Sequence, residues 1–197
     1  MVRRLVQLYA GLALYGASMA MMIRAGLGLD PWDVFHQGVS EKTGLSFGTV
    51  VIITGALVLM AWIPLRQWPG IGTVSNVFVI GIAVDLTLDV IGAVHGLPAQ
   101  LALLVTGVFL NGVAGAAYIG AGLGPGPRDG LMTGLVLRTG GSVGRIRTGI
   151  EISVLVAGFA LGGTVGLGTV LYAVSIGPLL QRLLPAFTIR EPAVVAV

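Results

Sequence analysis

The chain has 197 residues, 55% of them apolar and only 10% charged, with a mean hydropathy of +0.97, a balance that excludes a water-exposed globular body. It has no cysteine and only two histidines, His36 and His95, which excludes disulfides, thiolate chemistry and a dedicated histidine metal cluster. Its net charge of +3 points to no nucleic-acid partner, because arginines in so apolar a chain chiefly report which helix ends face the cytoplasm.

A multi-pass membrane protein embedded in the lipid bilayer is expected. Apolar runs long enough to cross about 30 Å of hydrocarbon at about 1.5 Å per residue cover 5–23, 47–65, 71–91, 99–119, 146–163 and 167–185. Arg3 and Arg4 precede the first run as in a secretory signal, but the run reaches Ile23 and ends in Arg24 with no small-residue cleavage site, so it reads as a retained helix. The segments between runs are too short to form a separate soluble domain.

Next comes a shorter piece, residues 30–44. Asp30 suits an N-cap, Pro31 the first helical position, Asp33 the first turn and Gly44 a stop. The resulting helix covers roughly 20 Å and carries Asp33, His36, Gln37, Glu41 and Lys42, so it is too short and too polar for a lipid-facing span. It reads as a re-entrant half-helix or an interfacial helix. In the third run Asp85 lies about two thirds of the way along, where a charge needs protein, water or a partner, and it is the candidate for proton or ion coupling. Asp89, one turn later, reads as a solvated helix end. In the fifth run Arg147 and Glu151 stand four apart and read as a local ion pair.

The second half repeats the first. With a shift of 96 residues, 29 of 84 positions from Leu5 to Leu88 are identical to Leu101 to Leu184, without a gap, where chance gives roughly 8. Ala25-Gly26-Leu27-Gly28 returns as Ala121-Gly122-Leu123-Gly124, and Gly72-Thr73-Val74 as Gly168-Thr169-Val170. The expected organisation is a first membrane repeat over 1–96, a second over 97–190 and a tail over 191–197. Each repeat has three transmembrane helices and one short helix, 30–44 or its copy 126–140.

If neither short segment crosses, Arg3, Arg4, Arg66, Arg128, Arg138, Arg145, Arg147, Arg182 and Arg190 lie inside, against Arg24 and Lys42 outside. If both cross, the tally is eight against three and the repeats become parallel. Segment length and polarity favour the first arrangement, with three spans per repeat, inverted halves and both termini cytoplasmic.

The glycine-rich entries to the short helices are the candidate site. Non-helical backbone at membrane depth survives only where protein buries it or a wet cavity lines it, and two half-helix N-termini meeting there would offer free N–H groups to a solute. The alternative is a pair of N-capped interfacial helices. Asp33 and Asp129 are the ionisable residues identical in both copies, and they read either as complements to their own helix dipoles or as cation or proton sites. Trp32 aligns with Arg128, which makes the frame symmetric and the lining asymmetric. Arg128 could hold an anionic group, anchor the cytoplasmic side or pair with Asp129. Trp32 is a stacking or gating residue. Asn76 and Asn111 read as interhelical contacts, and Asn111 is also a binding candidate. Gly11, Gly16, Gly107 and Gly112 read as small surfaces for close helix approach. The chain contains no Walker loop, nucleophile elbow or dinucleotide fingerprint, so neither an enzyme nor a cofactor is expected.

Gly26 to Gly48 with its Pro-Trp-Asp and Thr-Gly-Leu-Ser, Gly124 to Gly134 reading Gly-Pro-Gly-Pro-Arg-Asp-Gly-Leu-Met-Thr-Gly, and Gly166 to Pro178 resemble the YczE/YitT-type family of bacterial integral membrane proteins. The resemblance implies a location in the bacterial inner membrane and assigns no functional residue. The expected function is a small secondary transporter or exporter of a low-molecular-weight solute bound at the repeat interface, and a homodimer is compatible with it. The alternatives are a membrane scaffold for a partner complex and a substrate-capture subunit of a larger transporter.

Overall fold

The computed structural model describes residues 1–189; Arg190 and the tail expected over 191–197 lie outside them. Eight helices follow one another: α1 (Val2–Ala25), α2 (Pro31–Thr43), α3 (Phe47–Leu65), α4 (Ile71–Val90), α5 (Leu97–Gly120), α6 (Pro127–Thr139), α7 (Val143–Ala160) and α8 (Leu167–Phe187). The fold is all-α, with no strand among the described residues. Five helices, α1, α3, α4, α5 and α8, are long and apolar enough to cross a membrane.

The run expected over 146–163 departs from this set. It forms α7, 18 residues from Val143 to Ala160, whose first half carries Arg145, Arg147 and Glu151 and is too charged to join the five. Ser142 starts it early by accepting from the Arg145 N–H at 3.4 Å, and the turn through Gly162, at φ 106°, ends it early.

The centre is an antiparallel crossing of α1 with α5, the helices that align under the 96-residue shift. Gly11 lies against Ala114, Ala117 and Tyr118, while Gly107 lies against Ser18 and Met22. A Cβ at Gly11 would stand 2.8 Å from the Tyr118 nitrogen, so the absence of a side chain is what permits this approach. α4 runs parallel to α1, with Gly16 against Ile80 and Val84, and α8 runs parallel to α5, with Gly112 against Leu179. Leu8, Leu12, Met19, Val84, Leu104 and Val108 fill the core. Outward, Leu57, Met60, Phe78, Leu86, Val170 and Val174 are each more than half exposed, an apolar exterior that only lipid or protein would cover.

The short helices cross between halves. α2 packs on α7, where Gly158 admits the backbone of Val34 and Phe35; α6 packs on α3, where Gly130 admits the Trp62 ring and Trp62 Nε1 donates to the Pro127 carbonyl at 3.0 Å. Each entry loop threads past the start of a long helix of the other half. The Gly168 N–H donates to the Leu27 carbonyl at 2.7 Å and the Gly72 N–H to the Leu123 carbonyl at 2.8 Å. Gly28 and Gly124 have φ of 108° and 128°, and any side chain there would strike Thr169 or Thr73, so both positions require glycine twice over.

Candidate functional site

These threaded loops aim the N-termini of α2 and α6 at one cavity of about 310 Å3, a size that holds a small solute or roughly ten waters. Asp30 to Trp32 and Gly126 to Asp129 form its two ends. Tyr15, Asn76, Asn111 and Tyr172 line its core side, and Arg147 and Glu151 of α7 stand at its edge, paired at 3.1 Å as their spacing predicts.

The two ends differ chemically. At α2, Asp30 is the N-cap: Oδ1 accepts from the Trp32 N–H at 2.9 Å and the Asp33 N–H at 3.1 Å. The same oxygen lies 3.6 Å from Arg128 Nη1. Asp30 is 1% exposed, and Oδ2 of both Asp30 and Asp33 is buried without a hydrogen-bond partner. Asp33 Oδ1 lies 3.2 Å from His36 Nδ1. At α6 the equivalent cap is Gly126, which has no side chain to offer, and Tyr118 OH donates to Asp129 Oδ2 at 3.5 Å. The Arg128 guanidinium lies 5.4 Å over the Trp32 ring centroid, within cation–π range. Apart from the Arg147–Glu151 pair at its edge, the site therefore sets one guanidinium, Arg128, against three carboxylates, Asp30, Asp33 and Asp129, two of them with a bare buried oxygen.

Behind the cavity a polar chain ties the central helices. Tyr172 OH donates to Asn111 Oδ1 at 3.0 Å, Asn111 Nδ2 donates to Ser18 Oγ at 2.9 Å, and Ser18 Oγ donates to the Tyr15 carbonyl at 2.7 Å. Asn111 is fully buried, so these bonds fix its amide and satisfy it.

Of the residues singled out in sequence, Trp32, Arg128, Asp129 and Asn111 line the cavity, and Asp33 lies fully buried one turn along α2. Asp85 lies elsewhere. Its Oδ2 accepts from Ser46 Oγ at 2.6 Å and its Oδ1 from the Gly48 N–H at 2.7 Å, so both oxygens hold the start of α3. Sequence reasoning passed over two polar cavity residues, Tyr15 and Tyr172. Asp30 reads in sequence as the N-cap and, set against Gly126, as a point where the copies differ; its place beside Arg128 is what the sequence does not show. The tyrosines carried a signal that went unused: Tyr15 aligns with Asn111 and Tyr172 with Asn76 under the 96-residue shift, so two Tyr/Asn pairs occupy two equivalent positions.

Comparison with known proteins gives relatives along nearly the whole chain. The chain is 37% identical over 170 residues to an "Uncharacterized protein" of Haemophilus influenzae, covering 86% of this chain and 78% of that one. It is 35% identical over 179 residues to the "Uncharacterized membrane protein YczE" of Bacillus subtilis, covering 90% and 83% respectively. The "Uncharacterized protein YyaS" of Bacillus subtilis is 29% identical over 181 residues, 89% of each chain. No solved structure matches. Five apolar helices and a relative named a membrane protein make this a multi-pass membrane protein. The model of a family of unknown function, DUF6198, matches residues 2–185, and the chain belongs to that family.

Proposed function

We propose that the protein is a small secondary transporter of the bacterial inner membrane, built from two inverted repeats, with its solute site in the cavity between the N-termini of α2 and α6. The cavity is the observation that carries this reading. It combines a solute-sized volume, non-helical backbone at the helix entries and buried ionisable groups that a purely structural core would avoid. The antiparallel crossing of α1 with α5 supports the inversion.

In this reading Arg128, one third exposed, receives an anionic group of the solute through the donors that Asp30 leaves unused. The solute and Asp30 compete for one guanidinium. Asp30, released from its ion pair and already lacking a partner for Oδ2, takes up a proton, with Asp33 as the neighbouring acid. Asp85 serves α3 rather than coupling.

Purified protein in proteoliposomes under an imposed proton gradient tests the reading with a panel of labelled carboxylates, amino acids, phosphorylated metabolites and amines. Gradient-dependent accumulation of one class that carries an anionic group, abolished by Arg128→Ala and uncoupled from the gradient by Asp30→Asn, is expected. No flux across the whole panel, together with no solute protection of a cysteine placed at Ala173 in the cavity, overturns it.

A further inference from the structure

Another cavity, of about 40 Å3, lies between α2, α3 and α4, and it shares Trp32, Asn76, Ile80, Pro127 and Arg128 with the 310 Å3 site cavity, the larger of the two. The two cavities are copies. Under the 96-residue shift, ten of the eleven residues lining the small cavity map onto residues lining the large cavity; the exception is Val58. Trp32 and Arg128 exchange places in this mapping, Thr54 becomes Ile150, Gly55 becomes Glu151 and Val77 becomes Ala173. One frame is thus built twice, wide against α7 and narrow against α3.

We propose that the small cavity is the closed second entrance to the same solute site, and that it opens onto the opposite face of the membrane when the α7 side closes. This rests on the transport reading. An antiparallel crossing of equivalent helices exchanges the two ends of the molecule, so equivalent entrances face opposite sides. Each half already adopts the conformation that the other must reach, and the exchange requires no arrangement that the fold does not already contain. Trp32 and Arg128 form the wall between the entrances, because both line both cavities.

The narrow entrance is flanked by a contact that can be trapped. A Cβ built at Gly55 of α3 stands 3.5 Å from Val77 Cβ of α4, within the span that a disulfide bridges. The equivalent pair, Glu151 and Ala173, flanks the wide cavity instead. The two mouths also differ in chemistry, with Arg147 and Glu151 at one and Val51 and Gly55 at the other.

The chain has no cysteine of its own, so the test needs no background removal. Single variants Thr54→Cys and Ile150→Cys are reconstituted and treated with a membrane-impermeant thiol reagent added to one side at a time. Each is expected to react from one side only, and the sides are opposite. Each is then combined with one of two oxidised pairs, Gly55→Cys/Val77→Cys or Glu151→Cys/Ala173→Cys, with the single reporter labelled after oxidation. The first pair is expected to suppress labelling at position 54 at least tenfold and spare position 150, and the second to do the reverse. If Thr54→Cys is unreactive from both sides while Ile150→Cys reacts, or if the second pair never cross-links, the small cavity is a packing gap and the inference falls. Reciprocal labelling without flux of any solute refutes transport and leaves the exchange standing. Flux with an unreactive Thr54→Cys refutes the exchange alone.

Discussion

Arg128→Ala breaks the ion pair with Asp30 that spans the two halves of the site. The Arg128 Nη1 to Asp30 Oδ1 distance is 3.6 Å, which at an effective dielectric constant of about 20 corresponds to a gross attraction of about 5 kcal/mol. Arg128 keeps a third of its side chain exposed whereas Asp30 is 1% exposed, so solvent weakens the pair on one side while the loss leaves a buried carboxylate uncompensated on the other. The expected net cost is about 2 to 3 kcal/mol, including the lost contact with Trp32. Asp30→Asn behaves differently. Asparagine caps a helix as well as aspartate does, so the bonds to the Trp32 and Asp33 N–H groups survive and the cost stays under about 1 kcal/mol. The double variant should therefore be more stable than Arg128→Ala alone, with a coupling energy of about 1 to 2 kcal/mol. Equilibrium unfolding by SDS in mixed micelles, followed by far-UV circular dichroism, measures all four corners of the cycle. A cost for Arg128→Ala below about 0.5 kcal/mol, or additivity of the two substitutions within about 0.5 kcal/mol, would refute the pairing.

Gly130→Ala forces a methyl group into the Trp62 ring and should cost about 1 to 3 kcal/mol; in a Trp62→Leu background the same change should cost far less, which the same SDS titration reads. Asp85→Asn removes a charged acceptor from the start of α3 and should lower stability by about 1 to 2 kcal/mol while leaving proton-driven flux per folded molecule unchanged; loss of coupling with stability intact would restore Asp85 as a coupling group. Tyr172→Phe leaves Asn111 Oδ1 without its donor and should cost about 1 kcal/mol, whereas Asn111→Ala removes both the acceptor of the Tyr172 hydroxyl and the donor to Ser18 Oγ and should cost about twice that.

Much of the architecture was legible because it is written twice. The 96-residue shift, Asp30 with Pro31 at the start of α2, and Gly44 and Gly140 at the ends of the short helices all rest on local rules of capping and backbone conformation, and they placed both short helices. What stayed hidden depends on which surfaces meet. Nothing local says that α2 leaves its own half for α7 or that α6 leaves for α3; the signal is a size match between distant positions, Trp62 with Gly130 and Val34 with Gly158. α7 was read as a span because its apolar second half outweighed the charges of its first, and its bounds lie three residues earlier than the apolar run suggests. At the site, the difference between Asp30 and Gly126 is plain in the sequence, but the pairing of Asp30 with Arg128 is not, because it depends on the starts of α2 and α6 meeting. Asp85 looked like a buried charge in an apolar helix, and only the meeting of α4 with the start of α3 reveals the hydroxyl and amide that occupy it.

Inverted halves are the premise on which the shared cavity, its two entrances and the transport reading all depend. Single cysteines at Leu45 and Gly141, equivalent positions just past the two short helices, test it in intact cells with an impermeant maleimide. Labelling of Leu45→Cys from outside, with Gly141→Cys reached only after the membrane is permeabilised, is the expected result. Labelling of both only after permeabilisation would mean that the short segments cross and the repeats are parallel, and it would contradict the account at its foundation.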